Sequence, residues 1–334
     1  MGKSHLKIGI DLTGGDHPPE LLFNELLSLK DCLDSSIDLF FFAPKSFITH
    51  AEHALASVGE DSNIFFIETK ESISMSDHPL AALRRKKDSP TVVALRHMKA
   101  GLLDALVSTC NTGALVSGST LILKKIKGIK RPGLLTVLPT LLKPLVVIDV
   151  GANVHSTSAH LVQYAKMGIA YQKCLGIAEP KVGLLNIGTE KEKGRTELKE
   201  AYKKLLHLNL PQKSVLTFVG NIEGKKAFKG EIDVLVTEGF SGNIFLKTAE
   251  GVTSFILEKI LQEGLAETAH HLPSTLMHLL NYAEYPGAIL CGVEGVVIKC
   301  HGDSSAQAIL SGIKGAYNLV KTQFLTRLKK QLKV

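Results

Sequence analysis

The sequence lacks tryptophan entirely, and only 6% of its 334 residues are aromatic, so aliphatic side chains must supply most of the core. It also lacks a CxxC pair and any zinc-finger spacing. Its five cysteines are odd in number and widely separated: Cys32, Cys110, Cys174, Cys291 and Cys300. We therefore expect neither a disulfide framework nor a zinc site, and we expect the protein to work in a reducing compartment.

No run of apolar residues is long enough to cross a bilayer, which takes about 20 residues. The longest apolar region, Leu134–Val150, is interrupted by Pro139, Lys143, Pro144 and Asp149, which favours two buried strands. The amino terminus enters a strand without the apolar core of a signal peptide. We therefore expect a cytoplasmic protein that does not span a membrane.

Several catalytic signatures are absent. The sequence has no GxGxxG after a strand, no GxxxxGK[ST], no GxSxG and no HExxH. A dinucleotide site, a P-loop, a covalent serine hydrolase and a zinc protease therefore all lose support.

The chain carries 39 basic and 32 acidic residues, a net charge of +7. Such an excess fits a solvated surface, an anionic membrane, nucleic acid or an acidic partner. Basic residues are not interleaved with aromatics and no RNA-binding signature is present, so nucleic acid ranks last and is not expected as a partner.

Apolar runs alternate with segments of helical period along nearly the whole chain. The predicted strands are Lys7–Leu12, Ile37–Ala43, Asn63–Glu68, Ala105–Ser108, Leu134–Leu138, Leu145–Val150, Val182–Ile187, Leu216–Val219, Val234–Thr237 and Val296–Cys300. The predicted helices include Thr112–Ile126, Ser158–Cys174, Thr196–Leu206, Ile244–Leu265 and Ser304–Leu332. This alternation predicts an α/β fold, a three-layer Rossmann-like sandwich with a mostly parallel sheet and right-handed crossovers.

No Pro/Ser-rich linker or internal repeat divides the chain, so one domain is expected over residues 1–334, with a weakly indicated boundary at Lys130–Pro132. Residues 250–286 depart from the alternation and predict a helical projection. Leucines recur there at helical spacing: Leu272, Leu276, Leu279 and Leu280. Such a stripe usually faces a core or a subunit partner. We expect a homodimer contact first, and peripheral contact with the inner face of the membrane second.

Small polar turns follow seven of the predicted strands. They occupy residues 11–19, 109–114, 149–153, 186–190, 220–224, 237–243 and 299–303. Ligands of open α/β sheets bind outside the carboxyl ends of the strands, where helix N-termini favour anions. One such turn is weak support, but their recurrence favours a shared cleft for an anion.

These turns, with several flanking blocks, resemble the bacterial family of acyl-acyl carrier protein:phosphate acyltransferases. The matching blocks are 8–17, 83–87, 111–115, 131–132, 138–140, 149–153, 160–165, 182–190, 218–223, 239–243, 297–299 and 301–302, in collinear order. The chain departs from the family pattern at Leu12-Thr13, at Cys110 where glycine is usual, at His155 where Asp is usual, and at 303–305. None of these departures removes an obvious polar group from the turns.

The resemblance implies a fold similar to phosphotransacetylases and isocitrate dehydrogenase. It also implies attack of inorganic phosphate on the thioester of a long-chain acyl carrier protein. The product would be an acyl phosphate for phospholipid synthesis. The reaction needs neither an enzyme nucleophile nor a metal, and no cofactor is expected.

Candidate site residues follow from the turns and this resemblance. The catalytic candidates are His17, His301, Asn111 and Lys299. The phosphate- and substrate-binding candidates are Gly14, Gly15, Asp16, Thr112, Gly113, Asn153, Asn186, Glu238, Gly239, Ser241, Gly242, Asn243 and Lys247. His17 or His301 would protonate the leaving thiolate or position phosphate. Asp11, Asp16 and Glu238 would orient donors, and a covalent role for Cys110 is disfavoured.

The basic run Arg84, Arg85, Lys86 and Lys87 is the preferred dock for the acidic carrier protein. Its alternative is a solvated helix end, and a second candidate dock lies at Lys124–Arg131. Two rival functions remain open: an acyltransferase that uses coenzyme A, and a non-catalytic scaffold that has kept the fold. Phosphate-dependent turnover separates them.

Overall fold

The structure is a computed structural model that describes residues 5–59, 63–209, 216–262 and 287–332. The chain divides into two compact units. The first unit is Met1–Pro132 with Pro286–Lys330, and the second is Gly133–Tyr285 with Gln331–Val334. The division after Pro132 coincides with the weak boundary in the sequence. The single domain over residues 1–334 stays a prediction.

The first unit alternates strands with helices. Its strands are β1 (Leu6–Asp11), β2 (Ile37–Ala43), β3 (Ile64–Glu68), β4 (Ala105–Ser108), β10 (Ala288–Cys291) and β11 (Val296–Lys299). Its helices are α1 (Pro19–Ser28), α2 (Lys45–Val58), α3 (Pro79–Arg85), α4 (Pro90–Lys99), α5 (Thr112–Ile122), α10 (Ala306–Lys321) and α11 (Phe324–Leu332).

The sheet of the first unit runs in the order β3-β2-β1-β4-β11-β10, parallel except for the β10–β11 pair. Every residue of β4 and of β11 is buried. Helix α4 packs on β1, β2 and β4, and α10 packs on β1, β4 and β11. Strands covered in this way are continuous apolar runs, which explains why they stand out in the sequence.

The second unit also alternates strands with helices. Its strands are β5 (Gly133–Leu138), β6 (Leu145–Ile148), β7 (Lys181–Leu185), β8 (Thr217–Ile222) and β9 (Val234–Val236). Its helices are α6 (Ser158–Cys174), α7 (Thr196–Leu208), α8 (Gly224–Ala227) and α9 (Gly239–Gln262). The strand order is β5-β6-β9-β7-β8, with only the β5–β6 pair antiparallel among the described pairs.

Local sequence explains where the central helix of the second unit begins. The Thr157 side chain accepts a hydrogen bond from the backbone N–H of His160, and the His160 ring bonds back to the backbone N–H of Thr157. This is the reciprocal pairing of a capping box. Tyr164 and Met167 on the same helix are fully buried. Burying side chains of this size contributes roughly 1.5–3 kcal/mol each relative to exposure.

The α/β class and the mostly parallel sheet are confirmed, as are β2, β4 and α6 to the residue. Three details of the prediction are wrong. Residues 220–222 continue β8 through a bulge instead of forming a turn, and Gly220 has φ +99°. The last helix is two helices, since Gln323 has φ +54°. Strand β10, Ala288–Cys291, was missed.

The helical projection predicted over residues 250–286 is described only as far as Gln262, within α9. Its leucine stripe and residues 263–286 lie outside the described residues. Among the helices that the structure describes, none is long and apolar enough to cross a membrane.

Candidate functional site

Three polar residues end adjacent parallel strands of the first unit. In the strand register Asp11 pairs with Ser108, and Ser108 pairs with Lys299. All three are buried at the carboxyl edge of the sheet. The register therefore brings together turns that lie far apart in the sequence, which is the arrangement expected for a ligand site of this fold.

Asp11 organises the first of these turns. One carboxylate oxygen accepts bonds from the backbone N–H and hydroxyl of Thr13, at 3.0 and 2.6 Å. The other accepts from Thr91 at 2.7 Å and Ser108 at 3.1 Å. Burial raises the pKa of Asp11, and these four donors oppose that rise. One oxygen is occupied by the turn that follows β1 and the other by Thr91 and Ser108, so Asp11 ties this turn to α4 and β4.

Lys299 is the buried cation of this edge, with only 8% of its surface exposed. Its ammonium donates to the Thr109 carbonyl at 3.2 Å and to the carbonyl of Cys300. Both acceptors are neutral backbone groups of the strand-end turns. Lys299 therefore adds a positive charge beside the turn that leads into α5.

Asn111 is the N-cap of α5. Its side-chain oxygen accepts from the Ala114 N–H at 3.1 Å. Its amide nitrogen donates to the carbonyls of Ser74, Met75 and Asp77, most closely to Met75 at 2.9 Å. Both ends of the amide are thus occupied. Asn111 holds the 74–77 segment against the helix start, and Thr112 and Gly113 supply the first N–H groups of the helix.

The β1–α1 turn lies against the β11–α10 turn. The Asp16 N–H donates to the Gly302 carbonyl at 2.7 Å, and a side chain at Gly15 would meet that same carbonyl. His17 bonds to the Asp303 carbonyl at 3.2 Å, and the His301 ring bonds to the Asp303 carboxylate. Both histidines are exposed, so the structure leaves them accessible to a ligand.

Cys110 is buried between these groups, with 1% of its surface exposed. Burial raises the pKa of its thiol to about 11, and the nearby Asp11 carboxylate acts in the same direction. A thiol with that pKa is almost entirely protonated at neutral pH, and the thiolate is the reactive form. The structure gives no support to a covalent role.

The basic run is only partly available for a partner. Arg84, Arg85 and Lys87 are exposed, whereas Lys86 forms an ion pair of 2.6 Å with Asp77. The hydrogen bond from Lys86 is the largest cause that lowers the pKa of Asp77. Arg84 and Arg85 form the last turn of α3, where cations also favour the helix dipole.

Asp149 organises the second unit as Asp11 does the first. It follows β6 directly, through a cis peptide bond from Ile148, and is fully buried. Its carboxylate accepts from the backbone N–H groups of Leu134, Gly151, Ala152 and Asn153 and from the Asn153 amide, at 2.8–3.1 Å. Burial raises the pKa of Asp149, and the hydrogen bonds from the Ala152, Leu134 and Gly151 N–H groups and from the Asn153 amide oppose the rise. The sequence pattern included Asp149 without giving it a role.

The backbone at the start of α9 is in direct contact with the backbone of this turn. The Gly239 N–H donates to the Asn153 carbonyl at 2.9 Å, and a Cβ at Gly239 would overlap that carbonyl. A Cβ at Gly242 would overlap the carbonyl of Asp149. Only glycine allows the two backbones to touch in this way.

Glu238 and Arg195 form an ion pair beside the same turn. Glu238 is buried and also accepts from Ser241 at 3.1 Å, whereas 54% of the Arg195 side chain is exposed. A guanidinium at a helix start beside polar turns is well suited to a phosphate group. Sequence reasoning missed Arg195. The signal was its position after Gly194, where the turn following β7 meets α7.

The remaining candidates of the second unit are placed as follows. Asn186 is buried and donates to the Lys193 carbonyl at 3.0 Å. Asn243 donates to the Val150 carbonyl at 3.2 Å. Lys247 pairs with Glu250 at 2.6 Å, one turn further along α9, so its charge is partly compensated.

The predicted site residues thus fall into two clusters, one at the strand ends of each unit. A single cleft shared by all of them stays a prediction. Within the described ranges, no group of three or more His, Cys, Asp or Glu side chains is arranged to hold a metal ion.

The sequence is similar to known proteins over almost its full length. Residues 6–327 match the family described as fatty acid synthesis protein. The chain is 37% identical to a phosphate acyltransferase of Caldanaerobacter subterraneus, with 98% of both sequences covered. It is 40% identical to a phosphate acyltransferase of Desulfitobacterium hafniense, covering 98% of the chain and 97% of the relative. It is 38% identical to a phosphate acyltransferase of Chlamydia abortus, covering 98% of the chain and 99% of the relative.

Solved structures with low sequence identity share the fold. A phosphotransacetylase from Staphylococcus aureus superposes with a TM-score of 0.59 at 18% identity, covering 97% of this chain and 94% of its own. A 4-hydroxythreonine-4-phosphate dehydrogenase from Klebsiella pneumoniae gives 0.53 at 10% identity, covering 95% and 100%. At these identities the likeness is one of fold alone. It confirms the predicted phosphotransacetylase-like and dehydrogenase-like architecture.

Proposed function

This chain belongs to the phosphate acyltransferase family, and we propose that it transfers a long-chain fatty acyl group from acyl carrier protein to inorganic phosphate. An oxygen of HPO₄²⁻ attacks the thioester carbonyl, and a new C–O bond forms. The C–S bond then breaks, and the thiolate receives the proton that phosphate loses. The products are an acyl phosphate dianion and the free carrier thiol.

Two requirements dominate this chemistry. The phosphate must be held as a dianion beside a neutral carbonyl, and the carbonyl oxygen needs donors as it gains negative charge. The protein has to supply N–H groups and cations, while free carboxylates must be kept away from phosphate. No covalent intermediate on the enzyme is needed.

The observation that carries the proposal is the pair of buried carboxylates, Asp11 and Asp149. Each lies at the carboxyl end of a strand, and both oxygens of each carboxylate accept hydrogen bonds from the surrounding turns and elements. Such carboxylates fix polar turns without presenting negative charge to a ligand. The cations near these turns, Lys299 and Arg195, then favour an anion.

The candidate N–H groups for phosphate are those of Thr112 and Gly113 at the start of α5, in the first unit, and those near Gly239–Asn243 at the start of α9, in the second unit. Backbone N–H groups at a helix start bind anions well. His301, held by the Asp303 carboxylate, is the favoured proton donor to the thiolate, and His17 is the alternative. An imidazole can both donate and accept a proton, which suits a group that must give and regain one.

We further propose that Arg84, Arg85 and Lys87 contact the carrier protein, which is acidic. The protein would act as a cytoplasmic homodimer with peripheral membrane contact. Both expectations rest on the leucine stripe at 272–280, outside the described residues.

The direct experiment measures free thiol released from hexadecanoyl acyl carrier protein by the purified chain, with and without inorganic phosphate. We expect release that requires phosphate, with one acyl phosphate formed per thiol. Release from acyl-coenzyme A alone would contradict the carrier-protein donor and indicate a phosphotransacetylase. Folded protein that binds the carrier but releases no thiol from either donor would indicate a scaffold.

A further inference from the structure

An apolar groove of about 450 Å³ runs along α9 in the second unit. It is lined by Gly224, Lys225, Phe228, Phe245, Thr248, Ala249, Val252 and Thr253. The α9 members are spaced i, i+3, i+4, i+7 and i+8, so they share one face of the helix. The volume lies within the range of about 300–1,000 Å³ typical of small-molecule sites.

The lining offers little to a polar ligand. Phe228 and Phe245 stack at 5.2 Å between ring centroids, and the Thr253 hydroxyl donates to the Ala249 carbonyl of its own helix. Val252 keeps 51% of its surface exposed, so an apolar side chain of this groove faces solvent. An exposed apolar concavity of this kind favours an apolar occupant.

The groove and the polar cluster described above share helix α9. Helix α9 begins at Gly239, in contact with the Asp149 turn, and Phe245 lies about 9 Å further along its axis at 1.5 Å per residue. The opposite wall, α8, begins at Gly224, two residues after β8 ends. Asn221 at the end of β8 donates to the Glu190 carbonyl at 2.8 Å, in the turn that follows β7.

We propose that this groove between α8 and α9 binds the alkyl chain of the acyl substrate, with the reacting end at the start of α9. The inference deepens the proposed function and rests on it. An amphiphile with a phosphate head and an alkyl tail matches a helix that begins among anion donors and continues as one wall of an apolar groove. The groove then determines the preference for chain length.

Binding of stable alkyl phosphates tests the groove without turnover. The probes are octyl and dodecyl phosphate below their micelle concentrations, titrated by calorimetry into the full-length chain. The variants are Thr248→Phe and Val252→Asp, both at exposed lining positions, where folding is not disturbed. Ser254→Phe is the matched control, because Ser254 is exposed on α9 outside the lining.

We expect wild type to bind dodecyl phosphate more tightly than octyl phosphate, by up to about fourfold for each additional buried methylene. Thr248→Phe and Val252→Asp should weaken the binding of dodecyl phosphate at least tenfold and the binding of octyl phosphate much less. Ser254→Phe should behave as wild type. Lining variants that keep the wild-type ratio of the two affinities would overturn the proposal.

Sedimentation of the same variants tests whether a second copy of this chain, and not an alkyl chain, covers the groove. Lining variants that change the oligomeric state and keep the wild-type ratio would assign the groove to a contact between two copies and overturn the proposal. The two hypotheses also fail separately. If the lining variants lose the wild-type preference for dodecyl over octyl phosphate but the wild-type chain shows no phosphate-dependent thiol release, the groove is supported and the proposed reaction is contradicted. If thiol release is observed and the lining variants keep that preference, only the groove is contradicted.

Discussion

His17 and His301 are held by the same residue, Asp303, although they lie near opposite ends of the sequence. His17 bonds to its backbone carbonyl at 3.2 Å, and His301 bonds to its carboxylate. A carbonyl and a carboxylate can each fix the tautomer of an imidazole by accepting from a ring N–H, but only the carboxylate carries a negative charge that stabilises the protonated ring. The difference favours His301 as the group that handles the proton.

We therefore expect His301→Gln to lower kcat by about 10²-fold, the lower end for loss of a general acid, with little change in the KM for phosphate. His17→Gln should cost less than tenfold. Phosphate-dependent thiol release at several phosphate concentrations measures both constants. Equal, small effects of the two variants would leave proton handling to another group.

Asn111→Ala should raise the apparent KM for phosphate more than it lowers kcat. The variant removes the N-cap of α5, which costs about 1 kcal/mol of stability, and frees the 74–77 segment. Asn111→Asp keeps the capping oxygen but not the donor to Met75, so it separates the two effects. An unchanged KM in both variants would remove this turn from the phosphate site.

Asp149→Asn should destabilise the second unit. All five partners of the carboxylate are donors, so an amide NH₂ must face at least one of them. Leaving buried donors unpaired costs about 1–3 kcal/mol. Urea unfolding measures the loss, with Asp31→Asn, at an exposed position, as the control. Equal midpoints for the two variants would contradict the role given to Asp149.

Cys110 should resist alkylation by iodoacetamide at pH 8, where exposed Cys32 reacts. Its pKa of about 11 means that the reactive thiolate appears only as the pH rises toward that value. Mass spectrometry of tryptic peptides distinguishes the two sites. Cys110→Ala should retain kcat within about threefold, and loss of turnover in a folded variant would restore the covalent hypothesis.

The double variant Arg84→Glu and Arg85→Glu should raise the KM for acyl carrier protein and weaken its salt dependence. The physical reason is loss of attraction to an acidic partner, which salt screens. Lys99→Glu, an exposed charge reversal on α4, is the control. If both variants respond to salt in the same way, the basic run serves only as the end of α3.

The sequence by itself determined the fold class and the edge of the sheet on which the polar turns lie. Strands such as Ala105–Ser108 are buried on every side, so their apolar runs were readable, and the turns after them carried Gly, Asn and Asp. The same signal failed to mark the strand Ala288–Cys291, and it failed at Gly220, where a positive φ continues a strand that its composition would end.

Tertiary structure alone decided which polar groups are free and which are occupied. Asp11, Ser108 and Lys299 become neighbours only through the register of three strands. The Asn111 amide, a plausible phosphate donor from its position, is occupied by the 74–77 segment, and Arg195 is placed beside Glu238. A local pattern shows which donors a turn contains, but which partners occupy them depends on residues distant in the chain.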